Sequence, residues 1–339
     1  EVIISALHTQ QKRSKIGAKE IAALSEIAKT EPQAAFAAYI HGEQHKFSYF
    51  LRTIPGMEEL LAPLDHMIDT QFIPSLLGSE AISAADRQLY SLPIRLGGMG
   101  IPVLTDKAPD EYQTSSAVTA PLAAIMMMQG NALPDTEEVK HIRAESQQLK
   151  NTNLKQKVTL IESTLPEMTL KAINQAKEKG ASNWLSAVPL QEHGFTLNKS
   201  EFRDALAIRY NKSLKGLPSD CPCGKKFSLD HALNCKRGGF IIIRHNRIRD
   251  FEANLLQQTC NEVETEPPLQ RLEGEQLTGL TGDGARPDIR ARGFWRPGQN
   301  AYFDVLVTNL NATSQSHLTP EKIYAKYEGK KKANYNERI

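Results

Sequence analysis

Three cysteines and one histidine lie within fifteen residues and have the spacing of a metal-binding motif. Cys221, Cys223, His231 and Cys235 form the pattern C-x-C-x7-H-x3-C. Thiolate sulfur and neutral imidazole nitrogen are the donors that Zn²⁺ prefers, and four of them make a closed structural site. His231 and Cys235 are four residues apart, so on a helix they share one face. We predict structural zinc rather than catalytic zinc, because four protein ligands leave no open coordination position.

The short spacing of the first two cysteines leaves a second interpretation open. One residue separates Cys221 from Cys223, where two to four are usual in zinc motifs. The alternative is a set of buried free cysteines beside a surface histidine. We interpret Cys260, which is far along the chain, as a small buried hydrophobic residue. The segment 215–240 is too short for a substantial core, so metal binding would supply its folding free energy.

A basic segment surrounds and follows this motif. Between Lys212 and Arg249, nine Lys and Arg residues stand against two acids, in a chain whose net charge is +2. Such density suits a polyanion, although a lone run of charge is more often a solvated surface. We place the later arginines in the first turns of a helix, where phosphate contacts explain cations better than the helix dipole does. The candidate nucleic-acid-binding residues are Lys225, Lys226, Lys236, Arg237, Arg244, His245, Arg247 and Arg249.

Two aspartates interrupt apolar, strand-like segments further along the chain. We predict strands over Val263–Leu269, Ala285–Ala291 and Ala301–Asn309. Asp288 lies in the second and Asp304 in the third, where a carboxylate is costly unless it is paired or binds a cation. Two carboxylates on adjacent strands form a hard-oxygen site for Mg²⁺ or Mn²⁺, which can activate water for phosphodiester cleavage. An aspartate that is only capped or solvent-exposed is the commoner case, and this alternative stays open.

A helix after the third strand supplies the candidate lysines. Thr319 is a suitable N-cap, and Pro320 suits the first helical position. Lys322 and Lys326 lie in this helix, where an ammonium group could orient the attacking water or stabilise the pentavalent phosphate. The candidate catalytic residues are therefore Asp288, Asp304, Lys322 and Lys326.

The first two thirds of the chain predict helices. The 339 residues, 40% of them hydrophobic, allow two or three domains with their own cores. Helical periodicity is visible over Glu58–Ile68, 115–130 and 195–211, the last with Asn198 near its start. Leu92–Pro102 has three glycines between two prolines, which predicts a shaped loop. We expect a mainly helical region up to about residue 215.

Several classes of protein are disfavoured. No apolar run approaches the roughly 18 residues of a membrane span, and no secretion signal follows Glu1. We therefore expect an intracellular chain without a membrane partner, and, because Glu1 is not a start methionine, a fragment. The Met126–Met128 run is interpreted as core filling. The sequence contains no Tyr/Phe-x-Asp-Asp motif, so no polymerase active site is predicted.

In their order along the chain, these motifs resemble the C-terminal region of non-LTR retrotransposon polyproteins that carry a restriction-enzyme-like endonuclease. The zinc motif is followed by Gly-Gly-Phe with Arg-His-Asn-x-x-Arg (238–249), by Pro-Asp (287–288) and by Phe-Asp-Val (303–305). Arg-Thr-Ile-Pro-Gly (52–56) and the glycine-rich segment 92–101 resemble the thumb and linker that follow the polymerase palm.

The resemblance implies an α+β multidomain protein with four parts. These are a helical thumb-like region (1–105), a helical linker (106–214), a CCHC-type zinc knuckle (215–240) and an incomplete PD-(D/E)xK endonuclease core (241–339). It implies structural zinc, catalytic Mg²⁺ or Mn²⁺ on Asp288 and Asp304, and a nuclear location with target DNA and element RNA as partners. Leu306 occupies the usual lysine position, so Lys322, with Lys326 as second choice, is the expected substitute.

The function that follows is nicking of target DNA to prime reverse transcription. Two alternatives stay open at this point. One is a nucleic-acid-binding zinc module whose nuclease core is inactive, and the other is a structural remnant without activity. The oligomeric state and the target sequence are not predicted.

Overall fold

The chain divides into two compact units, Glu1–Lys215 and Gly216–Ile339, each described here by itself. The mixed α+β class is confirmed, because the described residues are mostly helical and contain one three-stranded antiparallel sheet. The computed structural model describes residues 17–130, 133–237, 239–269, 286–310, 312, 315 and 318–336.

The described residues of unit 1 form helices joined by turns and loops. A π-helical turn, Ile68–Phe72, joins its fourth and fifth helices. The helices are 17–30 (α1), Pro32–His41 (α2), Ser48–Thr53 (α3), Glu58–Met67 (α4), Ile73–Leu77 (α5), Ala84–Ser91 (α6), Leu104–Met127 (α7), Thr136–Thr164 (α8), Glu167–Ala176 (α9), Asn183–Ser186 (α10) and Lys199–Arg209 (α11).

Helix α11 packs one aromatic and aliphatic stripe into the core of unit 1. Asn198 caps it with a capping box, which confirms the predicted helix start. Phe202, Leu206 and Tyr210 follow at four-residue intervals, and each is at most 1% exposed. The ring of Phe202 lies 5.9 Å from that of Phe36, within the range of favourable aromatic pairs.

The segment 92–102 is a shaped loop, as its glycines and prolines predict. A Cβ on Gly98 would lie 1.9 Å from the carbonyl oxygen of Leu92, so only glycine fits there. The buried guanidinium of Arg209 donates to the carbonyls of Ile94 (3.0 Å) and Gly98 (3.2 Å). These bonds satisfy loop carbonyls that the packing removes from water.

Two long helices carry little of the core. Helix α7 buries Leu104 and Ala108, both in its first turns, and α8 buries Ile161. The interpretation of Met126–Met128 as core filling is wrong, since their side chains are 68–86% exposed. They lie at the end of α7, away from the buried cluster. The apolar pattern of the helix therefore continues beyond the turns that pack against other helices.

The described residues of unit 2 form three helices and the sheet. The helices are Leu229–Asn234 (α12), Phe240–Gln257 (α13) and Pro320–Tyr335 (α14), and the strands are Asn261–Thr265 (β1), Ile289–Arg292 (β2) and Asn300–Phe303 (β3). The sheet order is β1-β2-β3, antiparallel throughout. Its small core consists of Ala253, Leu256, Ile289 and Ala291.

The predicted strands are present but their boundaries differ. The first begins two residues earlier than predicted and ends at Thr265, and Pro267 and Pro268, which lack an N–H donor, follow it. Part of the second prediction, residue 285, lies outside the described residues. The third ends at Phe303, so Asp304 follows the strand instead of interrupting it.

Among the described residues, no helix combines the length and apolar character needed to cross a lipid bilayer.

Asp65 provides a test of how unit 1 is held together. Its carboxylate accepts the N–H groups of Leu104 (2.8 Å) and Thr105 (2.9 Å) at the start of α7 and is 7% exposed. We expect Asp65→Ala to lower the free energy of unfolding by about 3 kcal/mol, because buried donors lose a charged acceptor. Trp184, which packs on Phe202, reports the transition in a urea titration.

Asp106 gives the matched control in the same turn of α7. Its side chain is 56% exposed and lies 3.5 Å from the ammonium of Lys157. Asp106→Ala should cost less than about 1 kcal/mol, since exposed ion pairs contribute little. Equal losses in the two variants would contradict the role given to Asp65.

Candidate metal centre and carboxylate cluster

A tight hairpin brings the first two cysteines of the metal motif together. The N–H of Cys221 donates to the carbonyl of Lys225, and the N–H of Gly224 donates back to Cys221, both at 2.8 Å. Gly224 has φ +86°, a left-handed conformation that glycine adopts without a steric penalty. A one-residue spacing is therefore workable here, because both cysteines lie on the same turn as Gly224.

The other two ligands come from the short helix α12 and the residue after it. Ser228 caps α12 by accepting the N–H of His231 at 3.1 Å. Cys235 directly follows the last helical residue, so it continues the face that carries His231. Arg237 then donates to the carbonyl of Pro222 at 2.9 Å, which ties the end of this segment back to the cysteine turn.

The four side chains form a compact cluster that can hold a metal ion. Their ligand atoms all lie within 4.8 Å of one another. Cys221 Sγ is 3.8 Å from Cys235 Sγ, and tetrahedral zinc with Zn–S bonds of about 2.3 Å sets two sulfurs about 3.8 Å apart. Cys223 Sγ is 3.1 Å from His231 Nε2, somewhat less than the roughly 3.6 Å of such a site. Soft sulfur and imidazole donors at this spacing fit structural zinc.

The polypeptide already favours a thiolate at one ligand. A hydrogen bond from the backbone N–H of Lys225 lowers the pKa of Cys223 to about 7, with further help from the neighbouring sulfurs and His231. At Cys221 the backbone N–H of Cys223 favours the thiolate, but desolvation and the adjacent thiols together raise the pKa. Thiolates so close together require a compensating cation, which is the role of a metal in such a centre.

Strand register places the two candidate carboxylates side by side. Ile289 pairs with Phe303 at one end of the β2–β3 ladder. Asp288 directly precedes Ile289, and Asp304 directly follows Phe303. The two aspartates are therefore the next facing pair beyond this end of the ladder. Their side chains are 12% and 14% exposed. The two carboxyl groups therefore share one partly desolvated site at the end of the sheet.

The backbone and α13 hold Asp288 in place. Its Oδ2 accepts the N–H of Val305 at 2.6 Å and lies 3.3 Å from Nε2 of His245. The same histidine nitrogen is 3.2 Å from the carbonyl oxygen of Val305. His245, a candidate DNA-binding residue from the sequence, thus lies next to the carboxylate pair.

The lysine beside the carboxylates is Lys331, whereas the sequence pointed to Lys322 and Lys326. The ammonium of Lys331 forms an ion pair with Asp304. Helix geometry explains the difference: at about 100° per residue, Lys322 is roughly 180° and Lys326 roughly 140° around α14 from Lys331. Both of these lysines are exposed.

Burial and neighbouring charges shift the pKa values of Asp304, Lys331 and Tyr335. Desolvation raises the pKa of Asp304, and the nearby Asp288 adds to the rise although Lys331 opposes it. Desolvation lowers the pKa of Lys331, but its partner Asp304 outweighs this, and the net shift is upward. Tyr335 also has a raised pKa, from desolvation and from the charge of Asp304.

Sequence analysis missed two residues at this site, Glu252 and Lys331. The pKa of Glu252 on α13 is raised by desolvation and by the charge of Asp288, so this acid is within electrostatic range of the pair. Glu252 is seven residues after His245 and therefore on the same face of the helix, a spacing that the sequence already contains. For Lys331 the corresponding signal is that Tyr327 and Tyr335 each lie four residues away, which places all three residues on one face of α14.

The basic residues occupy different environments. Helix α13 begins at Phe240, so Arg244, Arg247 and Arg249 lie in its second and third turns, not at its N-terminus as expected. Arg249 pairs with Asp250 and Glu266. Arg244 is half-buried over the ring of Phe240. The exposed members of the set are Lys225, Lys226, Lys236, Arg237 and Arg247.

No protein-family model matches this chain, and no curated protein matches it either. Function must therefore be inferred from the residues of the two sites themselves.

We expect one zinc ion per chain, bound by the cysteine–histidine cluster. Cys223→Ser and His231→Ala should each reduce the zinc content from about one per chain to near zero, because a closed structural site needs all four ligands. Zinc is measured by atomic absorption after gel filtration. Cys260→Ser is the matched control, since this cysteine lies outside the cluster, and it should keep its zinc. Equal zinc content in all three variants would refute the assignment.

Proposed function

We propose that unit 2 is a divalent-metal-dependent DNA endonuclease of the restriction-enzyme-like class, from a non-LTR retrotransposon protein. In this proposal it nicks target DNA to prime reverse transcription. The observation that carries it is the constellation of Asp288, Asp304 and Lys331 at one end of the β2–β3 pair. The order of the described elements from α13 onward, a helix, three antiparallel strands and the helix α14, supports the same class.

The carboxylate pair fits a hard cation such as Mg²⁺ or Mn²⁺. Asp288 and Asp304 offer oxygen donors, and their mutual repulsion in a desolvated site would be relieved by a divalent charge. Glu252 adds a third carboxylate within electrostatic range. A bound ion would supply a water of lowered pKa and neutralise charge at the phosphate.

The surrounding side chains have distinct tasks in this proposal. Lys331, whose side chain is 33% exposed, directs its ammonium at Asp304 and can stabilise negative charge on an attacked phosphate. His245 and the Val305 N–H fix the orientation of Asp288. The positioning groups lie on α13 and the strand ends, so the carboxylates are held by regular structure.

The basic residues support nucleic acid as the partner. Lys225, Lys226 and Lys236 are exposed on the metal-binding segment, and Arg247 is exposed on α13. Exposed lysine and arginine side chains bind phosphates without regard to sequence, and that binding weakens with salt. We propose target DNA and element RNA as ligands of this surface, and the nucleus as the place where they meet.

A second function is favoured by one specific contact. The ion pair with Lys331 neutralises Asp304 without any metal. In that case unit 2 would be a zinc-dependent nucleic-acid-binding module that holds a substrate but does not cut it. Both functions share the basic surface and differ in what the carboxylates do.

Asp304 separates the two functions. Asp304→Asn should reduce Mg²⁺-dependent nicking of supercoiled plasmid on the order of 1,000-fold, because it removes an oxygen ligand and a charge. DNA affinity should stay within about twofold, since phosphate contacts dominate it. Glu264→Gln is the control, an exposed acid on β1 that pairs with Arg290. If the wild-type chain binds DNA and never nicks it with Mg²⁺ or Mn²⁺, the binding module is correct.

Three of the five lysines of α14 can be ranked by the same assay. We expect Lys331→Ala to slow nicking by about 100-fold or more, the usual effect of losing one transition-state charge contact. Lys322→Ala and Lys326→Ala should change the rate by less than about threefold, because their side chains are exposed on other faces of the helix. A large loss for Lys322→Ala with none for Lys331→Ala would overturn the assignment.

A further inference from the structure

A cavity of about 610 Å³ lies between the end of β3 and helix α14. This volume is within the range of pockets that enclose small organic ligands. Five aromatic side chains contribute to its walls, those of Tyr302, Phe303, Tyr324, Tyr327 and Tyr335. Three of these lie on one face of α14, at positions 324, 327 and 335, together with Lys331.

Two of the tyrosine rings are held by hydrogen bonds at their hydroxyl groups. Gln315 Nε2 donates to the hydroxyl of Tyr327 at 2.6 Å, and the hydroxyl of Tyr335 donates to the carbonyl of Arg286 at 3.2 Å. The polar ends of these two rings are therefore engaged, and both residues line the cavity. Tyr324 is 45% exposed.

The candidate catalytic groups belong to the same cavity wall. Asp304 and Lys331 both line it, so any occupant lies next to the site of phosphodiester chemistry. The carboxylate of Asp304 would repel a negatively charged occupant, whereas a neutral, planar group could stack on the aromatic rings. A nucleotide offers both required parts: an uncharged aromatic base, and a phosphate that Lys331 can contact.

We propose that this cavity receives an unpaired nucleobase of the DNA substrate, stacked on tyrosine rings beside the phosphate that Asp304 and Lys331 act on. The inference rests on the proposed nuclease function and specifies its substrate. A base within a duplex is stacked on both sides and cannot enter a cavity, so it must first leave the helix. The site therefore selects DNA that is single-stranded or locally melted at the cut. Stacking on an aromatic ring tolerates any base, so the cavity adds preference for strand state and little for sequence.

Tyr324 allows a test that does not depend on cutting. A single-stranded oligonucleotide carrying one 2-aminopurine, whose fluorescence is quenched by stacking, is titrated with the full chain in Ca²⁺ in place of Mg²⁺. We expect quenching at one position of the label along the oligonucleotide. Tyr324→Ala should abolish this quenching and weaken single-strand binding about 10-fold, the scale of one lost stacking partner. Tyr324→Phe should retain both, because the ring remains.

Duplex DNA of the same sequence separates stacking from charge. Both Tyr324 variants should bind it as the wild type does, since phosphate contacts to the basic surface are unchanged. Because Tyr324 is 45% exposed, the truncation should leave the thermal transition of the chain in place. Unaltered quenching and single-strand affinity in Tyr324→Ala would overturn the inference.

Asp304→Asn distinguishes failure of the cavity from failure of the nuclease. This variant should still quench 2-aminopurine, because the tyrosine rings are untouched. If plasmid nicking proves independent of Asp304 while quenching depends on Tyr324, the nuclease proposal fails and the base-binding cavity stands. If nicking depends on Asp304 while Tyr324→Ala behaves as wild type, the cavity inference alone is wrong.

Discussion

The antiparallel register of β2 with β3 is the constraint on which unit 2 depends. Pairing of Ile289 with Phe303 makes Asp288 and Asp304 neighbours at one end of the β2–β3 ladder, where both are largely removed from water. Two such carboxylates repel each other, and the rest of the site offsets that cost. Lys331 supplies charge to one, and the Val305 N–H supplies a hydrogen bond to the other. Burial thus leaves negative charge at this site that a bound cation, or the ammonium group of a lysine that contacts phosphate, can neutralise.

Polar contacts matter more than usual in the described part of unit 2, because the apolar core formed there is small. The buried cluster holds two alanines, Leu256 and Ile289, too little to fix several elements by burial alone. Helix α14 carries the buried apolar residue Ile323, and polar contacts of Lys331, Tyr327 and Tyr335 also hold it. The contacts that position this helix are therefore also those that shape the carboxylate site and the aromatic cavity.

The metal centre and the carboxylate site differ in how far apart their residues lie along the chain. All four ligands of the metal centre lie between Cys221 and Cys235, and local turns bring them together. The carboxylate site draws on three elements, since His245 and Glu252 come from α13, the aspartates from strand ends and Lys331 from α14. The first can form as soon as metal binds, whereas the second requires the sheet and both helices.

The sequence by itself determined what depends on neighbours along the chain. The spacing around Gly224 predicted the cysteine–histidine cluster that can hold a metal ion, and Asn198 predicted a helix start. Pro-Asp and Phe-Asp pointed to the two acids that the strand register makes neighbours. Only tertiary structure decided which lysine meets them, because the face of α14 that is turned toward Asp304 carries Lys331 and not Lys322. It also decided that Glu252 joins the site and that tyrosines enclose a cavity beside it. Periodicity gives the faces of a helix, but only packing gives the face that is used.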